Sequence, residues 1–230
     1  MANLLITGCN RGIGLCLTRL ALARGDHVVA TCRDPAHAGE LQALATKHPG
    51  QLEILALEMS DAPAIKALAG KLGKRSLDIL INNAGIIGPA RQSTLDMDFD
   101  GFAETFAVNT LAPLRVAQAV VPLLRNGGHG KIATITSGMG SMSYARSDRI
   151  AYRASKAAVN KVMQGLATDL KPMGIAVVLL HPGWVKTDMG GAGADISVED
   201  SAGGILAQID ALTLGRTGGF LDFAGRVMQW

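Results

Sequence analysis

Leu4-Leu5-Ile6-Thr7-Gly8-Cys9-Asn10-Arg11-Gly12-Ile13-Gly14 is an apolar run that breaks into a turn with three glycines and then opens a helical pattern. Short side chains and free backbone N–H groups at a strand-to-helix junction suit a pyrophosphate. Glycine lets the main chain approach closely, and the helix start presents unpaired donors and the positive end of its dipole. The spacing is G-x-x-x-G-x-G, not the commoner G-x-G-x-x-G. The absence of a following Gly-Lys-Ser/Thr excludes a Walker-type phosphate loop.

Outward from this turn, short apolar runs alternate with longer helical patterns. Asn3–Thr7, 27–31, 52–57, 77–82, 131–136 and 175–180 read as strands apolar on both faces, and Gly219–Asp222 as a weaker seventh. Between them, 12–24, 35–48, 62–74, 99–124, 151–173 and 198–211 read as helices. Such alternation implies right-handed crossovers and an α/β fold: one doubly wound, Rossmann-type domain over residues 1–230, its parallel sheet covered by helices on both faces.

The 230 residues are 48% hydrophobic, with a net charge of +3 spread along the chain. No basic run exceeds Lys74-Arg75, so a nucleic-acid surface is not expected. The three cysteines, Cys9, Cys16 and Cys32, have neither metal-ligand spacing nor an even count. No metal site is expected, and buried, reduced thiols are. No basic flank precedes Leu4-Leu5-Ile6, and the apolar stretch 111–124 is broken by Pro113, Arg115, Gln118 and Pro122. A cytoplasmic protein without a membrane span is the expectation.

Tyr152-Arg153-Ala154-Ser155-Lys156 places a phenol and an ammonium one helical turn apart on the same face. A nearby cation favours phenolate, so Tyr152 is expected to exchange a proton with a substrate oxygen closer to neutrality than free tyrosine does. Ser137, just beyond the fifth strand, is placed to hydrogen-bond the same oxygen. Ser141 competes for that role.

Together with the glycine turn, Asn82-Asn83-Ala84-Gly85, Asn109, Ser137, Tyr152-x-x-x-Lys156 and Pro182-Gly183-x-x-x-Thr187, the chain resembles the short-chain dehydrogenase/reductase superfamily over essentially its whole length. Its compact length and C-terminal segment from Gly219 to Trp230 are similar to the C-factor and sniffer-type carbonyl reductases. The resemblance implies hydride transfer between a nicotinamide cofactor and a small carbonyl or alcohol. Tyr152 would be the general acid or base, Ser137 would polarise the carbonyl, and Lys156 would hold the ribose hydroxyls and lower the tyrosine's pKa. Asn109 would kink its helix and hold a water. Thr7, Gly8, Asn10, Arg11, Gly12, Ile13 and Gly14 would surround the phosphates, with Asn83, Ala84 and Gly85 along the adenosine side. Pro182 and Gly183 would flank the nicotinamide, and Val185 and Thr187 would take its carboxamide. Glu58-Met59 stands where the family usually has Asp-Val against adenine.

The second strand ends Ala30-Thr31-Cys32-Arg33, without the acid that binds bare ribose hydroxyls. Arg33 and Arg11 are therefore expected to grip a 2′-phosphate, making NADP(H) the cofactor rather than NAD(H). Asp34 argues against this, because it is placed to pair with Arg33. Two further readings of function stand beside carbonyl reduction. One is a cofactor-binding signalling protein of C-factor type. The other is a 3-oxoacyl thioester reductase with Arg146, Arg149 and Arg153 facing an acidic carrier. Residues 188–195, with three glycines and two alanines, are expected to form a mobile lid. Met139, Met142, Tyr144 and Trp184 would select the substrate if the lid does not. The small and apolar residues of the helix from Ala151 serve sheet packing first, and the family resemblance implies that this helix also forms the interface of a homodimer or homotetramer.

Overall fold

The computed structural model describes residues 1–126, 129–143 and 145–230. Tyr144 lies outside the described residues. Seven parallel strands form one sheet: β1 (Asn3–Thr7), β2 (His27–Cys32), β3 (Leu52–Ala56), β4 (Ile79–Asn82), β5 (Lys131–Ile135), β6 (Ala176–His181) and β7 (Gly219–Asp222). Their spatial order is β3-β2-β1-β4-β5-β6-β7. The winding reverses between β1 and β4, and the crevice at the carboxyl ends of such a pair is where doubly wound sheets bind ligands.

Alternation along each strand sorts the core into two layers. Leu4, Ile6, Ile79, Ile81, Ala133, Ile135, Val178 and Leu180 pack with helices α1 (Gly12–Ala23), α2 (Gly39–Lys47) and, later in the chain, the helix Val198–Asp210. Leu5, Leu80, Ile132, Val177, Leu179 and Phe220 face α3 (Ala62–Leu72), α5 (Ala112–Asn126) and α6 (Ile150–Leu170) on the other side. Near-continuous apolar strands are the signature of a sheet buried on both faces, and that signal located the strands of this sheet, Gly219–Asp222 more weakly. It did not locate the short antiparallel pair Gln92–Ser93 and Asp96–Met97.

Three predicted helices divide, the segment 151–173 by ending its α-helix at Leu170 before a 3-10 turn over Lys171–Met173. In the segment 35–48, Asp34 accepts from Ala36 N and caps a short turn over Pro35–His37 before α2 begins. The segment 99–124 starts as α4 (Phe99–Phe106), widens into a π-helical turn over Ala107–Leu111 and continues as α5. This places Asn109 inside the helical irregularity expected at that residue. Phe99–Leu124 is long and apolar enough to cross a membrane, but here it is a core helix, with 56% of the relevant stretch buried in the domain. The last helix, α7 (Val198–Asp210), is capped by Ser197, whose hydroxyl accepts from Asp200 N.

Candidate active site

The glycine turn joins β1 to α1, with Gly8 and Gly12 at φ of 71° and 56°. Side chains are disfavoured there by backbone conformation. At Gly14 the constraint is space: a Cβ would lie 2.1 Å from Gly8 O and 2.5 Å from Asn83 Nδ2. Asn83 donates its side-chain amide to Thr7 O and Gly8 O, at 2.9 and 3.0 Å. In return, the Thr7 hydroxyl accepts from the backbone of Asn83 and Ala84. Thr7 was expected to touch the cofactor. The structure corrects that reading: Thr7 is wholly buried, and its hydroxyl ties the ends of β1 and β4 together. The crevice floor is left to main-chain groups of the turn and of residues 83–85.

Next to this floor lies the Tyr152 cluster. Ser137 acts on the phenol to lower its pKa, and the Lys156 ammonium stands 5.7 Å from the centre of the phenol ring. Lys156 Nζ donates to Ile135 O at 3.0 Å, which fixes it beneath the end of β5. Burial drives the Lys156 pKa down to about 8. Tyr152 was expected to have its pKa lowered by this neighbour. Instead, burial pushes the phenol up, opposed by Ser137 and by the Arg149 charge. Desolvation outweighs these in so dry a setting, because ionising the phenol there exposes a charge to a poor solvent. A phenol that keeps its proton is suited to act as an acid.

Asn109 binds across the crevice. Its Oδ1 accepts from Ile86 N, and its Nδ2 donates to Ile86 O and Ser155 Oγ, at 2.9, 2.8 and 3.0 Å. Gly85 passes so close that an added Cβ would sit 3.2 Å from Asn109 Oδ1 and 3.6 Å from Lys156 Nζ. The Asn82–Gly85 segment, Asn109 and Lys156 therefore converge on one wall. Ser141 does not join them: its hydroxyl engages Ser143 and Trp230 O. Gly140, which the sequence reading passed over, lets the loop after Ser137 lie on α6; a Cβ there would be 2.7 Å from the Lys156 carbonyl carbon. The Gly-Met-Gly that follows Ser137 was the available signal.

At the rim the contacts are looser. Arg33 is 82% exposed and lies 3.9 Å from Glu58. Glu58 also accepts from Ser60 N, and Met59 is buried in the core. Asp34 pairs with His37, not with Arg33. Arg11, expected at the ribose, instead forms an ion pair with Asp188 at 2.6 Å, bridging the glycine turn to the segment after β6.

That segment departs from the expected loose lid. Lys186 N and Ile196 N pair with Ile196 O and Trp184 O, pinning its two ends together. Trp184 Nε1 donates to Gly190 O, Gly191 N to Thr187 O, and Ala194 is buried. Glycine here permits tight turns: a Cβ on Gly190 would be 2.0 Å from Val185 O. Val185 is buried, and Thr187 lies against the glycine turn, its Cγ2 being 3.3 Å from a Cβ placed on Gly12. Pro182 O accepts from Ser201 Oγ, and Gly183 adopts a φ of 85°. Met142, Trp184 and Met189 are exposed, and Met139 is half-buried.

Comparison with known proteins agrees with this geometry. The short chain dehydrogenase family pattern matches residues 2–195. The C-signal protein of Myxococcus xanthus is 44% identical over 168 residues, covering 72% of this chain and all of the relative. An NADPH-bound carbonyl reductase from chicken fatty liver superposes with a TM-score of 0.93 at 38% identity, over 100% of this chain and 99% of that one. The carbonyl reductase Sniffer of D. melanogaster gives 0.94 at 34% identity, with both chains fully covered.

Proposed function

The chain belongs to the short-chain dehydrogenase family, and we propose that it reduces small carbonyl compounds with NADPH, using Tyr152 as the proton donor. The observation that carries this reading is the buried Tyr152 phenol, with the Lys156 ammonium 5.7 Å from its ring and the buried Ser137 at the end of the neighbouring strand. The glycine turn fits a dinucleotide, since Gly8 and Gly12 hold backbone conformations that leave no side chain over the crevice. NADPH, when bound, supplies the hydride to the carbonyl carbon.

The chain's own residues handle the oxygen. Ser137 donates a hydrogen bond to it and steadies its developing negative charge. Tyr152 passes its proton to the same oxygen, giving the alcohol. Lys156, whose pKa near 8 leaves it largely charged at neutrality, stabilises the phenolate left behind and holds the ribose hydroxyls. Asn109 fixes the wall at Ile86 against which the ring lies. Gly8, Asn10, Arg11, Gly12, Ile13 and Gly14 hold the phosphates, with Asn83, Ala84, Gly85, Glu58 and the Met59 backbone on the adenosine side. Pro182, Gly183, Val185 and Thr187 orient the nicotinamide. Arg33 supplies the 2′-phosphate contact, and solved carbonyl reductases of similar structure were obtained with NADPH or NADP bound.

The chain works in the cytoplasm, in keeping with three buried free thiols. It assembles as a homodimer or homotetramer through the half-buried α6 face of Ala158, Val162 and Leu166. A signalling role of C-signal type has the 44% identity in its favour. Binding alone gives no use to a dry phenol aligned with a serine and a lysine.

The test is NADPH and NADH oxidation against diketones, quinones, aldehydes and acetoacetyl thioesters. Turnover of activated ketones with a preference for NADPH is expected. Cofactor binding without turnover of any of them would favour the signalling reading, and a preference for the thioesters would favour the acyl reductase.

A further inference from the structure

We infer that Gln92 is a positioning residue for the reaction, acting as a remote cap that sets the height of Tyr152 in the site. The inference rests on the reading of Tyr152 as proton donor. Tyr152 is the third residue of α6, where a helix amide has no intrahelical acceptor and ordinarily receives one from the capping side chain. Here the capping position is Arg149, which lies in the left-handed region at φ 51° and offers no side-chain acceptor. The acceptor comes from sixty residues away in sequence: Gln92 Oε1 takes the Tyr152 N–H at 3.1 Å.

Gln92 is itself buried, at 7% exposure, and its other half is equally engaged. Its Nε2 donates to Ile87 O at 3.0 Å and Pro89 O at 2.6 Å. An amide with two carbonyls on one end and an N–H on the other can sit in only one orientation. Gly88, at φ 88°, makes room for it: a Cβ there would fall 3.3 Å from the Gln92 amide. The residues that Gln92 grips directly follow Ile86, which Asn109 holds through both its N–H and its carbonyl. One side chain thus links the wall built by Gly85, Ile86 and Asn109 to the first turn of the tyrosine helix. The distance between that wall and the phenol is set by a glutamine that touches neither substrate nor cofactor.

Gln92→Met keeps length and volume while removing every side-chain hydrogen bond. We expect kcat for a small ketone to fall by roughly 10–100-fold, the scale of a small misplacement of a reacting group. The Kd for NADPH should stay within about two-fold, because the glycine turn and the Lys156–Ile135 contact are untouched. Amide exchange should speed up at Tyr152 while the later turns of α6 keep their protection. Gln92→Glu retains the acceptor for Tyr152 N–H. It serves as the second variant should the methionine form fail to fold, with the expectation that Tyr152 amide protection survives and the donor-side contacts at Ile87 and Pro89 are lost. Wild-type kcat in Gln92→Met would overturn the inference, as would a loss of kcat matched by an equal loss of NADPH affinity, or an exposed Tyr152 amide in Gln92→Glu. These outcomes are separable from failure of the underlying reading, which would show as an active Tyr152→Phe enzyme.

Discussion

The floor of the crevice and its rim are both built from polar residues, held in opposite ways. On the floor, Thr7, Asn83, Asn109 and Lys156 are engaged by backbone groups at 2.8–3.1 Å in buried surroundings. At the rim, Arg11 meets Asp188 and Arg33 approaches Glu58 with most of each arginine in water. A buried polar group that loses its partner costs about 1–3 kcal/mol, whereas an exposed ion pair contributes about 0–1 kcal/mol. The difference teaches a division of labour. The floor fixes where the chemistry happens, and the rim chooses among ligands through contacts that can be exchanged at little cost.

Gly14→Ala should break the floor most severely. The new methyl would stand 2.1 Å from Gly8 O, so the turn and Asn83 must move apart. Overpacking of this kind costs about 3 kcal/mol, or roughly 6–12 °C in Tm for a chain of this size. Thermal melts and NADPH titration should show both losses together. A variant with wild-type stability and affinity would mean that the floor is more pliable than its contacts suggest.

Alkaline pH should act on the floor next. Lys156, with its pKa lowered to about 8, is charged below that value and neutral above it. Affinity for NADPH should therefore be flat on the acid side and weaken as pH rises through the pKa. Loss of a charge-assisted contact is worth roughly ten-fold or more. Binding measured across the range checks this, and affinity that stays constant well above pH 8 would show that Lys156 carries no ribose contact.

Rim changes should be smaller and selective. Arg33→Asp should cost about ten-fold in NADPH affinity and improve NADH binding, since it removes a phosphate partner and adds an acceptor for ribose hydroxyls. Unchanged discrimination would assign the 2′-phosphate to Arg11 alone. Asp188→Asn frees Arg11 and should alter stability by under about 1 kcal/mol. Hydrogen exchange over residues 188–195 should rise in that variant, while the pinned ends at Trp184, Lys186 and Ile196 remain protected. Protection lost throughout would show that the ion pair, not the backbone pairing, holds the segment.

Much of this was legible in the sequence, for physical reasons that also mark where legibility stopped. Strands buried on both faces write themselves as apolar runs, so β1 through β7 were readable to within a residue or two. The tyrosine–lysine pair was readable because helical periodicity puts positions four apart on one face. Burial-dependent quantities were not. The upward push on Tyr152 arises from desolvation by chain segments that meet only after folding, and no local pattern encodes it. Composition also misled at residues 188–195, where glycine and alanine suggested slack. Gly190 there sits in a turn with no room for a side chain, fastened by Trp184. Thr7 was misassigned for a related reason: a hydroxyl beside a phosphate turn looks like a ligand until its partners, Asn83 and Ala84, arrive from another strand. Gln92 left no local trace because its acceptor serves a helix sixty residues away.

The central claim is that the buried phenol gives up the proton while the floor around it holds the cofactor independently. Tyr152→Phe isolates that step, since it removes one hydroxyl and leaves the ring in place. With NADPH and an activated ketone, kcat should fall by about 10²–10⁴-fold, the usual contribution of a general acid, while the Kd for NADPH stays within about two-fold. Retention of more than about a tenth of wild-type kcat would contradict the account, because a loss that small is below what a general acid supplies.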